Sequence, residues 1–141
     1  MTRRQKNFFK YAKNMSEMSS FPRVHIGCVA TYGNKVIATG FNSTKSNPIQ
    51  KKYNQYRDFT EDPKASWLEH SLHAEIATLK QLEHSDIDFG KCELWVYREK
   101  RDGSLGMCRP CSACLKYISD LGIKVVHYTT DEAYVMEEFV W

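Results

Sequence analysis

The chain has 141 residues, 42% of them hydrophobic and 26% charged, with a formal net charge of +3. That length suits a single domain over residues 1–141 with a real core. The ordinary composition, with no repeat, low-complexity tract or 18-residue apolar run, excludes fibrous, disordered and membrane-spanning classes. Residues 4–18 place Phe8, Tyr11, Ala12, Met15 and Met18 at helical spacing, and Pro22 follows as a stop signal. The same N-terminus is basic and aromatic but has no apolar stretch before a small-residue cleavage site, so no secretory signal is expected. Residues 24–32 and 35–41 are β-branched and apolar around Gly33-Asn34, the pattern of an antiparallel hairpin. Residues 42–66 are rich in Asn, Ser, Lys, Pro and Asp and are expected to form a long loop. Residues 67–84 carry Leu72, Ile76, Leu79 and Leu82 on one stripe and are expected to be helical, followed by a strand over 92–98 and a turn at Asp102-Gly103. Leu105–Met107 follows as a short return or a strand extension. Residues 111–121 predict a second helix with Gly122 as its cap, 123–128 a strand, and 134–141 a last strand or a short helix. Helices alternating with strands in this order imply an α/β domain of three α-β-α layers around a mixed sheet.

Five cysteines, three of them clustered at Cys108, Cys111 and Cys114, make a poor disulfide framework and suit thiols in a reducing cytosol. His73 and Glu75 precede Pro110-Cys111-Ser-Ala-Cys114, with Cys111 36 residues after Glu75. One imidazole and two thiolates are three ligands for tetrahedral Zn2+, leaving a fourth corner for water as catalytic sites do. Cys111 and Cys114 are i and i+3, so their sulfurs share a helix face. The positive end of that helix favours their thiolates. Glu75 is placed to handle protons beside the metal and is not itself expected to be a ligand. The ordered pair H-x-E and P-C-x-x-C is the signature of zinc deaminases that act on cytosine or adenine. Cys108-x-x-Cys111 leaves a second register open, in which His73, Cys108, Cys111 and Cys114 would form a closed structural site. His70, three residues before His73, is expected on the surface or the substrate side. Cys28, Cys92 and Trp95, on strands, read as core. Asn42 reads as a turn residue or as an amide beside the metal pocket.

Charge is unevenly spread: residues 1–60 hold 11 Lys/Arg and 2 Asp/Glu, whereas residues 61–141 hold 9 and 15. A basic first half suits an anionic ligand, either a nucleotide phosphate or a nucleic acid strand, or is a solvated helix and loop. Tyr53 and Tyr56, among Lys51, Lys52 and Arg57, are the candidates for stacking on bases through the basic 45–57 loop, with Trp67 as another.

The chain resembles the cytidine/deoxycytidylate deaminase superfamily from about Asn7 to Tyr128. The resemblance rests on His25-Ile-Gly-Cys-Val29, Gly40-Phe-Asn42, His73-Ala-Glu-Ile76, Arg109-Pro-Cys-Ser-Ala-Cys114 and Gly122-Ile-Lys-Val-Val126. It implies a five-stranded mixed sheet with helices on both faces. It also implies zinc on His73, Cys111 and Cys114, and Glu75 as the proton shuttle. Asn42 would bind the sugar, and the backbone at Ala74 would contact the base carbonyl. His as first ligand is similar to the deoxycytidylate and tRNA-adenosine branches. Arg98–Met107 resembles an inserted hairpin, and a strand over 134–141 would run antiparallel, which looks less like either branch. The expected activity is hydrolytic deamination of the cytosine of a nucleotide or nucleoside in a cytoplasmic homo-oligomer. The alternatives are a polynucleotide deaminase acting on tRNA adenosine or single-stranded cytosine, and a non-catalytic zinc-stabilised binding module.

Overall fold

A computed structural model of the protein describes residues 1–21, 24–45, 47–56 and 71–141. Helix α1 (Arg3–Ser16) starts at a reciprocal cap. Thr2 Oγ1 accepts from the Gln5 N–H, and Gln5 Oε1 accepts from the Thr2 N–H. Strands β1 (His25–Tyr32) and β2 (Lys35–Phe41) form the expected antiparallel hairpin, with Tyr32 opposite Lys35. A short helix α2 (Pro48–Tyr53) and a 3-10 turn (Asn54–Tyr56) follow. Then come α3 (Ala74–Leu79), β3 (Cys92–Glu99), α4 (Ser112–Leu121), β4 (Val125–Thr129) and β5 (Tyr134–Glu138).

The five strands form one mixed sheet in the order β2-β1-β3-β4-β5. Only β3 and β4 run parallel, joined by α4, and β5 returns antiparallel beside β4. The terminal segment is therefore a strand, with residues 130–133 as its turn. Side chains that alternate along β1 and β3 serve two different layers. Val29, Trp95 and Tyr97 face Phe8, Phe9 and Ala12 of α1. Cys28, Ala30, Leu94 and Val96 face the α3/α4 side, with Ile76, Leu79, Cys114, Tyr117 and Ile118. The three layers expected from sequence are thus α1, the sheet, and α3 with α4. No helix among the described residues is long and apolar enough to cross a membrane.

Two expectations need correction. The segment 42–66 is not all loop, because Asn47 caps α2 with its side chain and Pro48 takes the first helical position, where a missing N–H costs nothing. The helix expected over 67–84 is much shorter, Ala74–Leu79. Leu72 instead pairs in an isolated antiparallel bridge with Ser43, whose N–H donates to the Leu72 carbonyl at 3.0 Å. His73 therefore precedes α3 as its cap residue, with extended backbone. Pro22, Arg57, Trp67 and His70 lie outside the described residues. Gly122 closes α4 in the left-handed conformation, φ 93°, as its position predicted. The hairpin expected over 98–107 is present, with a bridge between Glu99 and Leu105.

Candidate metal centre

The starts of α3 and α4 converge on the same side of the sheet. His73 is the cap residue of α3, Cys111 is the cap residue of α4, and Cys114 lies three residues further on. His73 Nδ1 is 3.5 Å from Cys111 Sγ and 3.3 Å from Cys114 Sγ. All three donor atoms lie within 4.8 Å of one another. Zinc–nitrogen and zinc–sulfur bonds of about 2.0 and 2.3 Å at a tetrahedral angle put nitrogen and sulfur roughly 3.5 Å apart. The side chains as they stand therefore fit a zinc ion, with one corner left over. Both cysteines sit at the positive end of α4, which favours thiolates. The Cys111 thiol is drawn down to about 3 by its hydrogen bond with Cys114, against burial, and by the His73 ring. Cys114 is held up by the same bond and by burial. A divalent cation beside both sulfurs favours the thiolate form of each.

Glu75 lies in the first turn of α3 and is 5% exposed. Burial raises its pKa above the ordinary carboxylate value, against the pull of His73 and the Cys114 thiol. Ala74 and Glu75 open the helix, so by position their N–H groups have no acceptor within it. A cavity of about 250 Å³ is lined by His73, Ala74, Glu75, Cys111, Asn42 and Arg98, among others. The arrangement thus gathers three potential metal donors, a buried carboxylate and the N–H groups of a helix start around one small cavity.

Cys108 stands apart from the triad. Its sulfur is 3.4 Å from the Val96 carbonyl and 3.1 Å from Thr129 Oγ1, and burial pushes its thiol up to about 12. The closed four-ligand register is not formed. Cys28, Cys92 and Trp95 are core residues, as expected. Asn42 reaches the cavity, yet most of its amide is engaged: Oδ1 accepts from the Ile26 N–H (2.9 Å) and the Ser19 hydroxyl (2.6 Å), and Nδ2 donates to the Val24 carbonyl (2.7 Å). Tyr53 is not a base-stacking residue. It is 6% exposed, packs at a tilt against Tyr117, and donates its hydroxyl to Asp120 at 2.7 Å. Tyr56 remains 45% exposed.

Residues 2–130 match the model of the cytidine and deoxycytidylate deaminase zinc-binding region. The chain belongs to this family. Its fold is similar to that of dCMP deaminase from the cyanophage S-TIM5 (TM-score 0.62, 21% identity, covering 92% of this chain and 86% of that one). It is also similar to cytidine deaminase from Burkholderia pseudomallei (TM-score 0.62, 20% identity, 98% and 93% covered). Cytidine deaminase from Mycobacterium leprae is a further neighbour (TM-score 0.51, 20% identity, 91% and 88% covered). No curated protein sequence matches the chain. The family's cofactor is zinc, and the His/Cys/Cys cluster is where this family member has the donors for it.

Two residues with a bearing on the site carry no motif. Gln50, on α2 and 1% exposed, accepts the backbone N–H of His73 at 2.9 Å through Oε1. Arg98, at the end of β3, lies on the cavity wall. The alternation of β3 could have placed Arg98, two residues beyond the core residue Val96, on the metal side. Nothing in the sequence links Gln50 to His73.

Proposed function

We propose that the protein hydrolytically deaminates the cytosine base of a nucleotide or nucleoside to uracil, with His73, Cys111 and Cys114 as the zinc ligands. The observation that carries this reading is Glu75, a buried carboxylate sharing one small cavity with a three-donor metal cluster. A purely structural site has no use for it. Zinc, when bound, supplies the Lewis acidity that brings the pKa of water toward neutrality. Glu75 takes the proton from the attacking water and passes it to the ring nitrogen next to C4. After water oxygen bonds to C4, Glu75 takes the remaining proton from that oxygen and delivers it to the exocyclic amine; the C4–N bond breaks as the C4 carbonyl forms, and ammonia leaves. Water and cytosine are consumed, and uracil and ammonia are formed. Its raised pKa suits Glu75 to both accepting and returning that proton. The N–H groups at the start of α3 hold the base carbonyl, and the spare Nδ2 proton of Asn42 faces the sugar.

Deamination of free nucleotides or nucleosides is favoured over polynucleotide editing, because Tyr53 of the basic loop is buried against α4. The test is ammonia release from cytidine, deoxycytidine, CMP, dCMP, adenosine and short oligonucleotides. Turnover confined to cytosine compounds is expected. Turnover of adenosine alone, or of none of them by zinc-loaded protein, overturns the proposal.

A further inference from the structure

Among the described residues, two arginines line the metal cavity, Arg98 and Arg109. Arg109 is committed: its Nε and one terminal nitrogen bond both carboxylate oxygens of Glu137 at 2.9 and 3.0 Å, and Tyr128 donates to the same carboxylate. Arg98 is different. One terminal nitrogen donates to the Met107 carbonyl at 3.1 Å, and no carboxylate among the described residues is in ion-pair reach of it. Asp131 feels its charge, but Asp131 Oδ1 is taken by the Lys100 ammonium and the Met107 N–H. The stem of Arg98 is fixed against Gly106, where an added Cβ would come within 2.9 Å of Cδ and 3.0 Å of Nε. The guanidinium is thus positioned by the 98–107 hairpin while most of its five N–H donors stay open.

Arg98 also lines a second, more open cleft of about 450 Å³ with Glu99, Lys100 and Arg101. It therefore borders both spaces, at the edge of the metal cavity where the two adjoin. A nucleotide with its base at the metal cluster carries its charge at the opposite end, beyond the sugar. A planar guanidinium without a carboxylate, held at that edge, is matched to a phosphate. We propose that Arg98 forms a subsite for the 5′-phosphate of a mononucleotide, so that the substrate is a cytosine nucleotide and not the free nucleoside. This rests on the reading of the metal cavity given above. A mononucleotide is favoured over a strand because the cavity holds only about 250 Å³.

The zinc-loaded wild type, Arg98→Met and Arg98→Lys are to be compared by kcat/KM for CMP against cytidine and dCMP against deoxycytidine. A cytosine-containing oligonucleotide is assayed alongside, and binding of UMP and uridine is measured by calorimetry. The wild type is expected to favour the phosphorylated member of each pair by about 10- to 100-fold, as a charge-assisted hydrogen bond would give. Arg98→Met brings that ratio toward one, and Arg98→Lys keeps part of it. Equal kcat/KM for nucleotide and nucleoside in the wild type, a preference for the oligonucleotide, or a ratio that survives Arg98→Met each overturns the proposal. The wild-type ratio decides even if Arg98→Met does not fold. If no compound is deaminated but UMP outbinds uridine in an Arg98-dependent way, the subsite stands and the deaminase reading fails. If ammonia is released equally from both members of each pair, the reverse holds.

Discussion

Glu75 and the three metal donors illustrate how residue type and spacing can announce chemistry. His73 is far in sequence from Cys111 and Cys114, yet all three sit at helix starts, and two such ends can meet. What spacing could not resolve was the role of Cys108, since C-x-x-C occurs in two overlapping registers. The structure resolves it through hydrogen bonds: the sulfur of Cys108 faces Val96 and Thr129 and not the cluster. Two outcomes are expected at this scale. Glu75→Gln keeps the side-chain shape but cannot accept a proton, so kcat should fall by roughly 10²- to 10⁴-fold, the usual worth of general acid–base catalysis, with zinc content unchanged. Steady-state ammonia release together with zinc analysis checks this, and activity near wild type would remove Glu75 from the mechanism. Likewise, Cys108→Ala should retain equimolar zinc after dialysis, whereas Cys114→Ala should lose it.

Among the elements, α2 carries the least legible contribution. It lies within a polar segment with no periodic apolar stripe, and only six residues are helical, so nothing in the pattern marked it. Its role is nonetheless specific. Gln50 holds the backbone of His73, while Tyr53 holds α4 through Asp120 and Tyr117. One short helix thereby ties the imidazole half of the metal site to the cysteine half. The same long-range contact explains why α3 starts later than its apolar stripe suggested. The N–H groups of Leu72 and His73 are spent on Ser43 and Gln50, which fixes this stretch as extended chain. In Gln50→Leu the buried His73 N–H loses its acceptor, at a cost of about 1–3 kcal/mol. Zinc affinity, measured by chelator competition, should weaken correspondingly, by roughly 5- to 150-fold if most of the cost falls on the ligand geometry. Gln50→Glu keeps an acceptor for that N–H and should stay near the wild type. If Gln50→Leu lowers the melting temperature of metal-free and zinc-loaded protein equally, α2 supports the fold and not the metal site.

Across the whole molecule, the sheet separates two buried polar systems. The strand alternation that made the fold legible also sets this division, since neighbouring residues of β3 and β4 face opposite layers. The metal cluster occupies the α3/α4 side, and on the α1 side His127 stacks on Trp95 at 3.5 Å and meets Glu93 at 2.8 Å. Arg4 of α1 holds the other oxygen of Glu93 at 2.6 Å, so the N-terminal helix is tied to the sheet through this chain of contacts. Alternation placed Trp95 in the core, but the pairing of Glu93 with His127 across β3 and β4, and with Arg4 from α1, depended on a strand order that only the fold supplies. Burial lowers the His127 pKa below 6.5, more than the hydrogen bond and charge of Glu93 raise it. The neutral ring then donates Nε2–H to Glu93. An unfolded chain protonates this histidine near 6.5, while the folded one resists until a lower pH. In the interval between, the unfolded state binds the extra proton, so stability rises with pH through that interval and levels off above it. The melting temperature of zinc-saturated protein should therefore fall as pH drops below about 6.5. In His127→Gln, which retains an N–H for Glu93 but cannot titrate, that component of the slope should disappear while acid loss of zinc on the other face continues. Parallel melting curves for the two proteins from pH 7.5 to 5 would show that the imidazole titrates alike in the folded and unfolded states and that its burial exerts no control over acid stability.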